Sequence, residues 1–576
     1  MKILYAASEA NPFAKSGGLA DVAGALPKAL VKDGVDARVI MPLYGDLKYR
    51  DKLEYVTNYS VPVGWRSQYC GLFKADVDGV TYYFLDNEYY FKRRGLYGFY
   101  DDGERFAFFS RAVLETLFYI DFTPDIINCN DWQTALVPVY LNLYYRHLDK
   151  FNRIKTVFTI HNIAYQGKYG TDILEDTCGI GHRDQHIVEY DGCANFMKGA
   201  FETADKITTV SPTYAQEILD PWFSYGLDAL LREKQYKLCG ILNGIDMDAN
   251  DPATDKNIPF NYSIKTFETG KAKCKEALQD RFGLHKDGSP VFGMVSRMVG
   301  MKGFDLVQSI ADGLVDRGIQ LVILGSGESQ YENFFSDLCA RHPGRVGTYI
   351  GFEPKLSQEI YAGADAFIMP SKSEPCGLAQ MVACRYGTPP IVRETGGLRD
   401  SVQPYNRFTG EGTGFSFANF NAYELADTVR RALALYHNEH DAYLRVQRQA
   451  MAQDFSFTRS AEDYAHLYLL LLPEDTAPKH DAGDEAFRRP LGALETGTTV
   501  RLAFTDTESF VFDSAVELYG DAYSDTVAMA QTAAGFAASV TVPAAPQALR
   551  YRFRVACSDG GIRYLCACLL YTSDAA

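Results

Sequence analysis

KILYAASEANPFAKSGGLADVAGALPKAL, residues 2–30, holds an apolar run, a polar turn ending in two glycines and a second apolar pattern of different period. Lys2 to Ala7 reads as a strand buried on both faces. After the Gly17-Gly18 turn, Leu19, Val22, Ala23, Leu26 and Leu30 fall on one face of a helix, with Pro27 as a kink point. A strand, a glycine turn and a helix in that order open a doubly wound parallel sheet. The same alternation continues with apolar runs at Asp36 to Leu43, Asp125 to Cys129, Lys155 to Ile160 and Lys206 to Val210. A second series starts near Pro290: Val291 to Val295, Gln320 to Leu324, Val346 to Ile350, Ala366 to Met369 and Pro390 to Val392. The fold class expected is therefore α/β, two doubly wound Rossmann-like domains facing a cleft formed at the carboxyl ends of both sheets.

A chain of 576 residues exceeds what one core sustains, which also calls for more than one domain. The expected boundaries are 1–245, 246–472 with its last helix crossing back, a linker at 473–490, a β-sandwich at 491–565 and an unassigned tail at 566–576. The stretch from Asp246 to Lys265, rich in Asp, Asn and Pro, reads as the crossover between the first two. Past Leu472, Thr498 to Phe504, Phe510 to Tyr519, Ala537 to Val542 and Leu549 to Ala556 alternate as strands. Residues after about Leu565 read like a truncated or mis-assembled gene end.

A net charge of -16 argues against a nucleic-acid backbone or an anionic membrane as main partner. The N-terminus is neither a signal peptide nor a membrane span, and twelve cysteines without metal-ligand spacing point to reduced thiols in a cytoplasmic setting. The 38 tyrosines suit sugar stacking, though Tyr is also ordinary core material.

Polar groups collect where strands end. Lys15-Ser16-Gly17-Gly18 precedes a helix, where backbone N–H groups attract an anion. Asn130-Asp131-Trp132-Gln133 and His161-Asn162 close two further strands of the first series. Arg297 and Lys302 follow the first strand of the second series, a fork and a point charge spaced to grip a diphosphate or to form a solvated basic turn. Glu374-Pro375-Cys376-Gly377-Leu378 follows the strand from Ala366; its carboxylate can orient sugar hydroxyls and the Cys376-Gly377 amides can meet the sugar face. Cys376 reads as a packing residue. Thr395-Gly396-Gly397 offers another turn for phosphate or ribose.

From the first residue to about Leu472 these segments, with Thr209-Val210-Ser211-Pro212, Asn243-Gly244-Ile245-Asp246 and Tyr361-Ala362-Gly363-Ala364-Asp365, resemble the bacterial and plant glycogen/starch synthases, glycosyltransferase family five. The resemblance implies a GT-B fold and retaining transfer of glucose, in bacteria from ADP-glucose, to the non-reducing end of an α-1,4-glucan such as glycogen. It implies no cofactor and no required metal. Arg297 and Lys302 would neutralise the leaving diphosphate, helped by Lys15 and the Gly17-Gly18 turn. Glu374 would position the donor glucose, and His161, Asp131, Asp21 and Asn243 would line the sugar site, with Asn162, Cys376, Gly377, Leu378, Thr395, Gly396 and Gly397 also touching substrate. The attacking hydroxyl's proton would pass to the departing phosphate oxygen, so no dedicated base is sought.

The chain departs from the family pattern at Asn250, where relatives carry Trp, and at Lys372-Ser373, where Arg-Phe is commoner; Val382 occupies the place of the wider superfamily's second glutamate. The segments Gly497 to Leu502, Val516 to Asp521 and Leu549 to Phe553 resemble the N-terminal β-sandwich of neopullulanase-type α-amylases. Two alternatives carry other expectations: a UDP-glucose-dependent or phosphorylase-type enzyme of the same fold, and a non-catalytic glucan-binding protein. Base specificity and oligomeric state have no motif here.

Overall fold

A computed structural model describes residues 1–472 and, beyond them, 488–489, 494–495, 499–505, 511–520, 523–532, 535–541, 548–557 and 562–573. The chain forms two compact units. The first comprises 1–159, 165–207 and 458–576, and the second 160–164 and 208–457.

The strands that build the main sheet of the first unit are β1 (Lys2–Ala6), β2 (Asp36–Pro42), β3 (Glu54–Val63), β4 (Arg66–Val77), β5 (Val80–Asp86), β6 (Ile126–Asn130), β7 (Lys155–Ile160) and β8 (Lys206–Thr209). They lie in the order β8-β7-β6-β1-β2-β5-β4-β3. β1 pairs in parallel with both β2 and β6, whereas β3 and β4 add an antiparallel edge. Leaving that edge aside, the order is 3-2-1-4-5-6, and the direction of winding reverses between β1 and β6. Ile3, Leu4, Tyr5 and Ala6 are wholly buried because helices cover both faces. The helix α1 (Gly18–Lys32) runs on through Pro27 and buries Leu19, Val22, Ala23, Leu26 and Leu30, the face its spacing predicts.

In the second unit β9 (Val291–Val295), β10 (Gln320–Gly325), β11 (Val346–Ile350), β12 (Ala366–Met369), β13 (Pro390–Arg393) and β14 (Phe415–Phe417) form an all-parallel sheet in the order β11-β10-β9-β12-β13-β14. This is the 3-2-1-4-5-6 arrangement again, reversing between β9 and β12. The Asp246–Lys265 stretch is turn and coil within this unit.

The last helix, Phe457–Leu471, brings the chain back to the first unit, where the Tyr468 hydroxyl donates to Asn128 Oδ1 at 2.9 Å. Beyond it, a four-stranded and a five-stranded sheet enclose one apolar core. Val500, Leu502, Phe504, Phe536 and Val540 come from one sheet, and Val516, Leu518, Tyr551, Phe553 and Val555 from the other, with Leu469 of the helix packed against them. The expected sandwich is present. The expected linker, 473–490, lies outside the described residues apart from 488–489, which pair with Arg501 and Leu502. The tail, 566–576, expected to form no element, is corrected as far as residue 573: Ile562–Ser573 is a strand that pairs antiparallel with Ala548–Cys557. Among the described residues no helix is long and apolar enough to cross a membrane.

Candidate functional site

Ligands of open α/β sheets sit beyond the carboxyl ends of the strands where the winding reverses. Both reversal points carry the polar segments singled out from the sequence.

In the first unit the segment after β1 holds Glu9, Lys15 and the glycine turn. Lys15 Nζ lies 2.7 Å from Asp21 Oδ1, on the first turn of α1. Ser16 N–H donates to the carboxylate of Glu9, which is 3% exposed; burial pushes the Glu9 carboxyl above its usual range. Glu9, absent from the sequence-based candidates, sits against the amide of the glycine turn, and its only signal in the sequence is a carboxylate following so apolar a strand. After β6, Asp131 takes φ 55°, and its N–H donates to Thr159 O at 2.9 Å. A non-glycine residue held there costs about 1–3 kcal/mol and is tolerated when the turn has a task.

His161 and Asn162 follow β7, and the Asn162 side-chain oxygen accepts from Ala164 N at 3.0 Å. Desolvation pushes the His161 pKa down to about 3, so its imidazole is neutral near pH 7 and serves as a hydrogen-bonding group rather than a cation.

In the second unit the turn after β9 and the loop after β12 meet. Lys302 Nζ donates to Glu374 Oε2 at 2.6 Å, and Ser371 Oγ donates to the same oxygen at 2.9 Å. Glu374 is 6% exposed, so the pair works in a setting where charge is weakly screened. Arg297 is exposed, and its guanidinium has no hydrogen bond or ion pair to protein among the described residues, which leaves it open to an anion.

The carbonyls of the Glu374 loop are held from the protein side. Arg393 Nη1 donates to Lys372 O at 2.6 Å, Gly397 N to Glu374 O at 3.1 Å, Ser211 Oγ to Pro375 O at 2.6 Å, and Gln380 Nε2 to Cys376 O at 3.1 Å and Gly377 O at 3.0 Å. With its acceptors engaged, the loop leaves the amides of Cys376, Gly377 and Leu378 without a protein acceptor among the described residues. Three adjacent free N–H groups make an anion- or hydroxyl-binding surface. Burial drives the Cys376 thiol up to about 12, which keeps it neutral and unreactive. Asn243, which donates its backbone N–H to that sulfur, is 5% exposed with a side-chain Oδ1 that accepts no bond among the described residues; a buried orphan of this kind marks a place for a ligand donor.

Thr395, Gly396 and Gly397 have a different surrounding. The Thr395 hydroxyl and Gly396 N–H both donate to Glu217 Oε1, at 2.8 and 3.1 Å, so that turn already holds a carboxylate of the protein. A side chain at either glycine would collide with the carbonyl oxygen of Glu374 or of Cys376, and both glycines are therefore packing requirements. Lys372, one of the departures from the family pattern, places its ammonium 4.8 Å from the Trp222 ring centroid. At the end of β11, Tyr349 is 39% and Phe352 87% exposed, flat apolar faces on the unit that carries Arg297 and Lys302. Among the described residues no group of three or more His, Cys, Asp or Glu side chains is placed to hold a metal ion.

The starch synthase catalytic domain model matches residues 2–233, and the model of group 1 glycosyl transferases matches 276–449. The glycogen synthase of Geobacillus stearothermophilus is 51% identical over 480 residues, covering 82% of this chain and 99% of the relative. That of Clostridium acetobutylicum is 49% identical over 478 residues, covering 82% and 100%.

The chain belongs to the glycogen synthase family.

The solved catalytic domain of starch synthase IV from Arabidopsis thaliana, bound to ADP and acarbose, matches with a TM-score of 0.75 at 34% identity over 81% of this chain and 99% of that one. Sucrose-phosphate synthase from Thermosynechococcus elongatus shares the fold at a TM-score of 0.52 and 17% identity. This glycogen synthase family member is thus a glycosyltransferase of GT-B fold, and its C-terminal sandwich lies beyond both matched segments.

Proposed function

We propose that the protein lengthens an α-1,4-glucan by transferring glucose, with retention at the anomeric carbon, from ADP-glucose to the non-reducing end. The observation that carries this is the Lys302–Glu374 pair beside the three amides that, among the described residues, have no protein acceptor at the β9/β12 reversal. Arg297 and Lys302 neutralise the diphosphate as the bond from anomeric carbon to phosphate oxygen breaks, so the stabilisation acts where charge develops. Glu374 and the amides of Cys376, Gly377 and Leu378 hold the donor's sugar hydroxyls, and Asn243 Oδ1 supplies a further acceptor. As the acceptor hydroxyl oxygen bonds the anomeric carbon, its proton passes to the departing phosphate oxygen. The neutral Cys376 and His161 take no part as charged acid or base. Lys15 and the Gly17-Gly18 amides in the first unit provide a second anion-binding turn. Tyr349 offers a face to the base, and ADP in the Arabidopsis relative supports adenine there. Two cations at the diphosphate take the place of a metal, so activity should survive a chelator.

The test is glucose incorporation into glycogen from ADP-glucose and, separately, from UDP-glucose, in the presence of EDTA, by wild type and Glu374→Ala. Incorporation from ADP-glucose that the variant loses is the expected result. No incorporation by the folded wild type from either donor would remove the reading in favour of a glucan-binding protein.

A further inference from the structure

We propose that Glu217 is a positioning residue for the Glu374 loop, acting through the hydrogen bonds its carboxylate accepts from the 395–396 turn; this rests on the reading above in which Glu374 holds the donor sugar. Glu217 lies on the helix Pro212–Glu217, 157 positions before Glu374 in the chain by number (374 − 217), yet only one layer of residues separates them. Its Oε1 accepts from Thr395 Oγ1 and Gly396 N. The turn so held is pressed against the loop: Gly397 N donates to the carbonyls of Glu374 and Pro375 at 3.1 and 3.2 Å, and neither Gly396 nor Gly397 has room for a side chain against that backbone. The same stretch of chain braces the loop twice more. Ser211 Oγ bonds Pro375 O, while Thr213 bonds Asp400, on the helix Gly396–Ser401, through its N–H at 2.8 Å and its hydroxyl at 2.6 Å.

Two further atoms favour a functional brace over a purely structural one. Glu217 Oε2 and Arg393 Nε are both buried and have no hydrogen-bond partner among the described residues, although the opposite charges are close enough to influence one another. Each orphan is costly, and a site selected for stability alone would pair them. Arg393 spends its Nη1 on Lys372 O, the other shoulder of the loop. Arg393 thus holds one shoulder of the segment that presents Glu374 directly, and Glu217 holds the other through the 395–396 turn, without a hydrogen bond between the two.

The consequence is kinetic. A carboxylate displaced by a fraction of an ångström loses transition-state contact long before the grip of Arg297, whose guanidinium bonds no residue of this loop, is affected. In the full-length chain, Glu217→Ala should lower kcat on the order of 10-fold to 10²-fold while ADP affinity, read by calorimetry, stays within about twofold of wild type. Glu217→Gln keeps an acceptor oxygen and should recover most of the loss. Thr395→Val removes one donor and should lower kcat by a smaller factor, and adding it to Glu217→Ala should cost nothing more, because both cut the same link. Unchanged kcat in Glu217→Ala, equal damage in Glu217→Gln, or additive losses in the double variant would each overturn the proposal. Should Glu217→Ala not fold, Thr395→Val alone decides it, an unimpaired kcat being the negative result. A wild type without transferase activity would instead bring down the functional reading, and this inference with it.

Discussion

His161 follows β7 with a half-buried imidazole whose pKa desolvation lowers to about 3, and this bears on how the protein meets acid. Between that value and the ordinary 6.5 the unfolded chain binds a proton that the folded chain refuses, so stability falls as pH drops through this window. The slope from this one group reaches ~1.4 kcal/mol per pH unit. Denaturant unfolding at pH 7 and pH 4.5 should therefore show a smaller acid loss in His161→Gln than in wild type; equal losses would mean that the imidazole titrates normally. Lys302 is a residue of the opposite kind, a cation paired with the Glu374 carboxylate and, in the function proposed above, acting in the reaction. Lys302→Ala should keep the fold and lose on the order of 10²–10³ in turnover from ADP-glucose, the range for removing one preorganised charge. Its loss also leaves Glu374 buried with Ser371 as its remaining bonded partner, and thermal melting should fall by a few degrees.

At the scale of the element, two glycines of the opening strand-turn-helix separate a folding constraint from a binding one. A side chain at Gly24 in α1 would collide with the backbone of Asn11, so Gly24→Ala should destabilise by about 1–3 kcal/mol. At Gly17 the backbone is extended and the nearest atom to an added Cβ, a Glu9 oxygen, is 3.9 Å away. The fold leaves Gly17 free to be alanine; Gly17→Ala should melt within about 2 °C of wild type yet transfer glucose more slowly, and an equally active variant would detach this turn from the reaction. The same contrast explains what the sequence discloses. Parallel strands buried on both faces, such as Val291–Val295 and Ala366–Met369, stand out as unbroken apolar runs and are legible to the residue. The antiparallel edge of β3 and β4 is missed because it alternates: along β3, Tyr59, Val61 and Val63 are buried while Ser60 and Pro62 are exposed. Site residues that end strands, Arg297 and Glu374 among them, are legible by position. The brace from Glu217 and Ser211 is not, since its partners are more than 160 residues away and each is an ordinary polar side chain on its own element.

For the whole molecule, the C-terminal sandwich is joined to the rest of the first unit by an arginine among three carboxylates. Arg552 lies 2.8 Å from both Glu462, on the last helix, and Glu517, and its charge also reaches Asp33 at the end of α1. Asp33 is held up to about 6, first by burial and then by Glu462, with its Oδ2 unpartnered. Here the folded chain keeps a proton that the unfolded chain releases, so this group detracts from stability above pH 6 and the penalty fades as pH falls toward 3.8. Asp33→Asn should accordingly stabilise by about 1 kcal/mol at pH 8, after allowance for partial exposure, and by nothing near pH 4. Arg552→Ala should act the other way, leaving the carboxylates to repel and costing roughly 1–3 kcal/mol. Finally, the second unit lies between two parts of the first along the chain, because Tyr464 and Tyr468, which complete the burial of β1 and β6, come after residue 457. During synthesis at about 5–20 residues per second, the N-terminal sheet must wait on the order of tens of seconds, its last helix still unmade, while the inserted unit emerges and can already close. The newborn protein thus has its inserted unit finished first, and the half that begins the chain is the part a chaperone would find open.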